Sequence, residues 1–147
     1  MNNKETVQTL MDAIQNGDFV KAKTLLTDDS KFSGPVPEPI SREAWLKMSV
    51  SLRTAFPDLN YHFKVEGEDG DTVKISSGLT GTHKGNFDLT AMGMGVIPAT
   101  NKFFTAQREH GQSIMQDGKV KTWEMQKTEG AGVMAILDQL GVKVPVM

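Results

Sequence analysis

The chain contains no cysteine. That absence excludes a disulfide scaffold, thiolate metal sites and a thiol nucleophile, and it accords with a reducing compartment, so cytoplasm is the expected location. Charge of one sign is equally scarce. Sixteen basic and 18 acidic side chains leave a formal net charge of -2 with no block of like charge, which gives neither nucleic acid nor an anionic membrane a reason to bind. No run approaches the roughly 20 apolar residues of a membrane span, and the start "MNNKETVQTLMDAIQNGDF" lacks the long apolar region of a signal peptide. The three histidines are scattered, with no close histidine–carboxylate spacing, so no metal is expected. What remains is 147 residues, which fit one domain, 1–147, with a core of its own.

Helical spacing comes first along the chain. Val7, Leu10, Met11 and Ile14 make a stripe at i, i+3, i+4 and i+7, with an asparagine to cap it and Gly17 to stop it. Asp18 can cap a second helix that turns Phe19, Ala22, Leu25 and Leu26 inward and ends near "TDDS". The prolines of "SGPVPEP" exclude a central helix or strand, and Ser41 after them can cap a third helix bearing Trp45, Met48, Leu52 and Phe56, which Pro57 terminates.

From Leu59 the period changes to 2. Tyr61, Phe63 and Val65 alternate with polar residues, and "GEDGD" turns the chain into Val73, Ile75, Ser77 and Leu79. A third long strand runs from Phe103, "QDGK" supplies a turn, and a fourth covers Val120 to Lys127. Val133, Ile136, Leu137 and Leu140 form a closing helix before Gly141. Helices first and antiparallel strands after them predict an α+β fold, with helices on one face of the sheet.

The stretch "REHGQSIMQDGKVKTWEMQ" groups polar side chains by parity. Arg108, His110 and Gln112 share a face of one strand, and Val120, Thr122, Glu124 and Gln126 share a face of the next. The polar set is either a wet surface or the floor of a pocket.

"NGDFVKAKTLLTDDSKFSGP", "AFPDL", "TGTHKGNF", "PATNKFF" and "DGKVKTWE", in this order over nearly the whole chain, resemble the SnoaL-like polyketide cyclases of the nuclear transport factor 2-like superfamily. The resemblance implies a cone-shaped α+β barrel in which helices and a strongly curved antiparallel sheet enclose a pocket. It also implies that the carboxylate after the tryptophan of the "GK…W" strand is the acid/base, with a histidine on the preceding strand beside it; these positions match Glu124 and His110. The chain departs from the pattern in having Glu for the usual Asp at 124, a longer loop over 86–98, and Asn101 where Gly is common.

On this expectation Glu124, its pKa raised by an apolar surrounding, removes a proton next to a carbonyl, and His110 hydrogen-bonds the developing enolate. Arg108, Gln112 and Gln126 hold polar substituents. Trp45, Met48, Leu52, Phe56 and Phe104 form the apolar wall, and Met92 and Met94 in "DLTAMGMGVIPAT" supply an adaptable rim. The competing reading makes Glu124 the partner of Arg108 or His110 in a structural salt bridge. His83 in "TGTHKG" is expected to be structural. No cofactor is expected, and the partner is a small hydrophobic molecule. Phe103, Trp123 and Met125, placed on the outer sheet face by the same parity, predict a homodimer. The expected activity is aldol cyclisation or isomerisation; the alternative is a noncatalytic domain for apolar ligand binding or dimerisation.

Overall fold

The computed structural model describes residues 2–33, 39–90, 95–126 and 132–142. Met92 and Met94, expected to form the rim, lie outside them, as does the side chain of Val133.

The N-terminal helix α1, Asn3–Asn16, starts where the Asn2 side chain accepts a hydrogen bond from the Glu5 amide at 2.8 Å, and its stripe of Val7, Leu10, Met11 and Ile14 is buried. Gly17 ends it in the left-handed region, φ 77°. Helix α2 is short, Phe19–Thr24, capped by Asp18. It does not reach Leu25 and Leu26 as expected. Leu26 instead opens strand β1, Leu26–Ser33, because the segment finds ladder partners in a strand from the other end of the chain. A short strand β2, Ile40–Ser41, leads into helix α3, Arg42–Ala55, whose first turn is capped by the Ser41 hydroxyl. Phe56 caps its C-terminus.

Strands β3, Lys64–Asp69, and β4, Thr72–Ser77, form the expected hairpin. Short strands follow: β5, Thr80–Thr82; β6, Phe87–Leu89; β7, Gly95–Ile97; and β8, Phe103–Thr105. The strand expected from Phe103 onward is thus broken, β8 pairing with β5, and the chain resuming as β9, Glu109–Gln116, in the main sheet. Asp117 and Gly118, φ 53° and 77°, make the tight turn into β10, Lys119–Met125, as "QDGK" predicts. Helix α4, Gly132–Gln139, closes the described chain.

The main sheet has six strands in the order β2-β1-β10-β9-β4-β3, antiparallel except that β1 runs parallel to β10. It curves around the helices as a cone without closing into a barrel. α1 and α3 fill the concave side, joined through Arg53, whose guanidinium donates to the Gln15 carbonyl at 2.7 Å. Two sequence motifs meet here: Asp58 of "AFPDL" accepts from the Thr82 amide at 2.7 Å and its hydroxyl at 2.8 Å, pinning the end of α3 to "TGTH".

One irregularity decides which side chains enter the cone. The register between β9 and β10 shifts between Val120 and Thr122. A bulge of one residue inverts the parity of everything beyond it. Val120 faces inward, and so do Trp123 and Met125, not Thr122, Glu124 and Gln126. The placement of Trp123 and Met125 on the outer face is therefore corrected, and of the three apolar residues expected there Phe103 alone is exposed, at 61%.

Candidate functional site

The concave face holds a half-open cavity of about 150 Å³. Trp45, Met48 and Leu52 of α3, Trp123 and Met125 of β10 and Ile136 of α4 line it. Aromatic rings dominate the wall. Phe32 stacks on Trp45 with centroids 4.0 Å apart, Tyr61 stacks on Phe63 at 4.7 Å, and Trp123 stands 6.0 Å from both Trp45 and Phe63.

Among the described residues one carboxyl reaches this interior. Glu109 begins β9, faces Ser77 of β4 across the ladder, and is 6% exposed. Its carboxyl has no hydrogen-bond or ion-pair partner among the described residues, and burial alone raises its pKa from an ordinary 4.5 to about 7. Tyr61 also lines the cavity. Gln15 holds its backbone in place, accepting from the Tyr61 amide at 2.8 Å and donating to the Leu59 carbonyl at 2.9 Å, while Ser77 donates to the Tyr61 carbonyl at 2.7 Å. The Tyr61 hydroxyl is buried near that of Ser49 without a hydrogen bond of good geometry. Burial pushes its pKa up to about 12 against the weaker influence of Ser49 and Arg53.

The residues expected to do the chemistry lie elsewhere. Glu124, His110, Gln112 and Gln126 occupy the outer face, in a shallow polar groove with Glu66 and Lys74. His110 Nδ1 is 2.8 Å from Glu66, whose pKa that hydrogen bond lowers. Glu124 accepts from Gln112 at 3.3 Å and Thr122 at 3.5 Å, so it is paired with neither Arg108 nor His110. Arg108 is exposed and donates to the Ser76 hydroxyl at 2.7 Å and the His62 carbonyl at 3.1 Å. The expectation that these groups face a closed pocket is corrected: with Trp123 and Met125 turned in by the bulge, their even-numbered neighbours must point out. Phe56 and Phe104 are fully buried but belong to a second aromatic cluster with Phe87, Phe56 standing 4.8 Å from Phe104, and do not line the cavity.

His83 is structural. It is fully buried against Phe56, its Nδ1 accepts from the Thr100 amide at 3.2 Å, and its Nε2 has no hydrogen-bond partner among the described residues. Burial lowers its pKa and keeps it neutral. Among the described residues no cluster of histidine and carboxylate side chains could hold a metal.

A model of SnoaL-like polyketide cyclases matches residues 4–130. The chain belongs to that family. No curated protein matches it. Among solved structures it is similar to IdmH of Streptomyces antibioticus, assigned as a polyketide cyclase (TM-score 0.71, 24% identity, 97% of this chain and 100% of that one). It is also similar to a SnoaL-like protein of Jannaschia sp. CCS1 (TM-score 0.69, 22% identity, 96% and 92%). An epoxide hydrolase of M. tuberculosis shares the fold at TM-score 0.62 and 16% identity over 93% and 90% of the two chains. At such identities these structures establish the fold, and an epoxide hydrolase beside cyclases shows that the fold carries more than one chemistry.

Glu109 is the residue that sequence reasoning missed. A signal was present: it is the charged member of the parity Glu109, Gly111, Ser113, Met115, otherwise small or apolar, and so the one charge that burial of this face would perturb.

Proposed function

We propose that this protein is a cofactor-independent, cyclase-type enzyme that performs general acid/base chemistry on a small hydrophobic carbonyl compound, with Glu109 as the proton-transferring group. The observation that carries this reading is a buried carboxyl, unpartnered among the described residues, that lines an aromatic cavity where burial raises its pKa to about 7. Such a group exists in both forms at neutral pH, which suits it to take a proton and return it.

In an aldol closure the Glu109 carboxylate removes the proton on the carbon next to a carbonyl. The C–H electron pair becomes the enolate, whose carbon attacks a second carbonyl of the same molecule, and the alkoxide so formed takes the proton back from Glu109. Aromatic walls hold the chain folded on itself, which supplies much of the rate. An isomerisation uses the same two proton transfers without the C–C bond.

Glu109→Gln keeps the shape and removes the base, so turnover of a hydrophobic ketone substrate is expected to fall roughly 10²- to 10⁴-fold. Glu124→Gln, on the outer face, is expected to leave turnover within about a factor of two, as exposed substitutions do. If the Glu109→Gln variant turns substrate over as well as the parent, the protein is a binding module of the same fold, and equal losses in both variants would restore Glu124 to the mechanism.

A homodimer is part of the same reading. It is supported by the exposed Phe103 of β8, a large apolar side chain that a partner surface would cover.

A further inference from the structure

Resting on the reading of Glu109 as the base in this cavity, we propose that the site has a second activity, the ring opening of planar N–O heterocycles by elimination. Its substrates are 1,2-benzisoxazoles with a hydrogen on the carbon next to the ring nitrogen, and its products are cyanophenolates. Such a substrate has no carbonyl, so the two activities share the base and the aromatic walls alone.

The base comes first. Glu109 is buried and has no hydrogen-bond or ion-pair partner among the described residues, so its carboxylate lacks the donors that water would supply to quiet it. Burial also brings its pKa to about 7, which makes it a stronger base than a carboxylate in water while leaving about half of it ionised at neutral pH. A desolvated base of this kind suits a proton held on carbon.

The walls suit a flat bicyclic ring. The Phe32–Trp45 stack, with an interplanar angle of 8°, and the Tyr61–Phe63 stack, at 5°, are two flat double layers, with Trp123 close to both. An aromatic ligand meets such rings in the offset-stacked and T-shaped geometries that aromatic pairs favour, and Met48 and Met125 adapt to its outline.

The elimination balances without a co-reactant. The Glu109 carboxylate takes the proton from the carbon next to nitrogen, and the C–H electron pair becomes the third C–N bond of a nitrile. The N–O bond breaks in the same step, and its pair leaves on the phenolate oxygen. Glu109 then gives its proton to water. Among the described residues no lysine, arginine or histidine lines the cavity to pair with the departing charge. A ring that spreads this charge over a nitro group needs no such partner, and the half-open mouth leaves the oxygen within reach of water.

The test uses 5-nitro-1,2-benzisoxazole, whose nitrophenolate product is coloured, and compares the protein with acetate, the same base free in water. The expected kcat/KM exceeds the second-order rate constant of acetate by at least about 10²-fold, the lower end of what positioned proton transfer contributes. Because the carboxylate is the active form, kcat/KM should rise with pH through a midpoint of about 7 and then level off. Glu109→Gln should lose the excess over acetate, Glu109→Asp should keep part of it, and Glu124→Gln on the outer face should stay within about a factor of two of the parent. The analogue methylated on the reacting carbon has no proton to give and should inhibit without being opened. A rate no greater than that of acetate would overturn the proposal, as would an excess that survives Glu109→Gln or a flat profile across pH 7. This probe also separates the proposal from the reading beneath it. If the benzisoxazole is not opened while Glu109→Gln still abolishes turnover of a ketone, the second activity fails and the cyclase-type reading stands; if ring opening depends on Glu109 while ketone turnover does not, the reverse holds.

Discussion

Glu109 is unusual for what it lacks. A buried carboxylate normally has a cation or several amide donors around it, and its pKa then falls; here, among the described residues, desolvation acts alone and the pKa rises to about 7. A stability effect with a definite sign follows. The unfolded chain gives up this proton near pH 4.5, the folded protein only near pH 7, so the contribution of Glu109 favours the fold fully below pH 4.5 and is lost progressively as pH rises to about 7. The full swing is roughly 3 kcal/mol. Glu109→Gln, which never ionises, is therefore expected to be more stable than the parent at pH 8 and no more stable at pH 4. Urea unfolding of both proteins at the two pH values measures it, and equal differences at both would show that the carboxyl is solvated in the native state.

Elements are placed by contacts that are local in space and remote in sequence. Gly111 sits where β9 meets β10, and a Cβ added there would collide with the Glu124 carbonyl oxygen and lie 2.8 Å from Met125 Cα, both backbone atoms that cannot swing aside. Gly111→Ala is expected to force the two strands apart beside the cavity and destabilise the protein by several kcal/mol, at the severe end for a single substitution. An alanine variant with unchanged unfolding midpoint would contradict that packing. Helix α4, which brings Ile136 to the cavity, is tied to the edge of β8 through one side chain. Gln139 accepts from the Thr105 amide at 2.9 Å and donates to the Thr105 carbonyl at 2.7 Å, completing that residue as a neighbouring strand would. Gln139→Ala should cost about 1 kcal/mol and accelerate hydrogen exchange at the Thr105 amide. Protection of that amide as in the parent would show that α4 is held by its apolar contacts alone.

At the scale of the whole molecule the two faces of the sheet divide the roles. The concave side joins the helices in one continuous apolar core with a small aromatic cavity. The convex side carries paired polar groups, His110 with Glu66 and Glu124 with Gln112, which have the arrangement of a solvated surface. With Trp123 and Met125 inside, the proposed dimer draws its apolar contact from the exposed Phe103. Sedimentation at micromolar concentration is expected to show two subunits, and Phe103→Ser to shift the protein to monomer. A parent that sediments as a monomer would remove the dimer from the proposed function. No helix among the described residues is long and apolar enough to cross a membrane.

Elements whose signals are local were legible in the sequence: the stripe and caps of α1, Ser41 before α3, the β3–β4 hairpin and the Asp117–Gly118 turn each follow from a few adjacent residues. The ordered motifs also pointed to the SnoaL-like family and its cone. Two features were not legible, because both are set by pairing across the chain. Strand β1 looks like a helix end until the parallel partner β10 is present, since an isolated "LLTDDS" offers its backbone no ladder. The bulge after Val120 is a register event between two strands, invisible in the alternation of either one, yet it turned Glu124 of β10 outward, while Glu109 faces the interior by the regular alternation of β9. The sequence by itself determined that a curved sheet would carry polar side chains on one face and apolar ones on the other; only tertiary structure decided which face was enclosed, because a one-residue shift in pairing exchanges the two faces without changing a single residue.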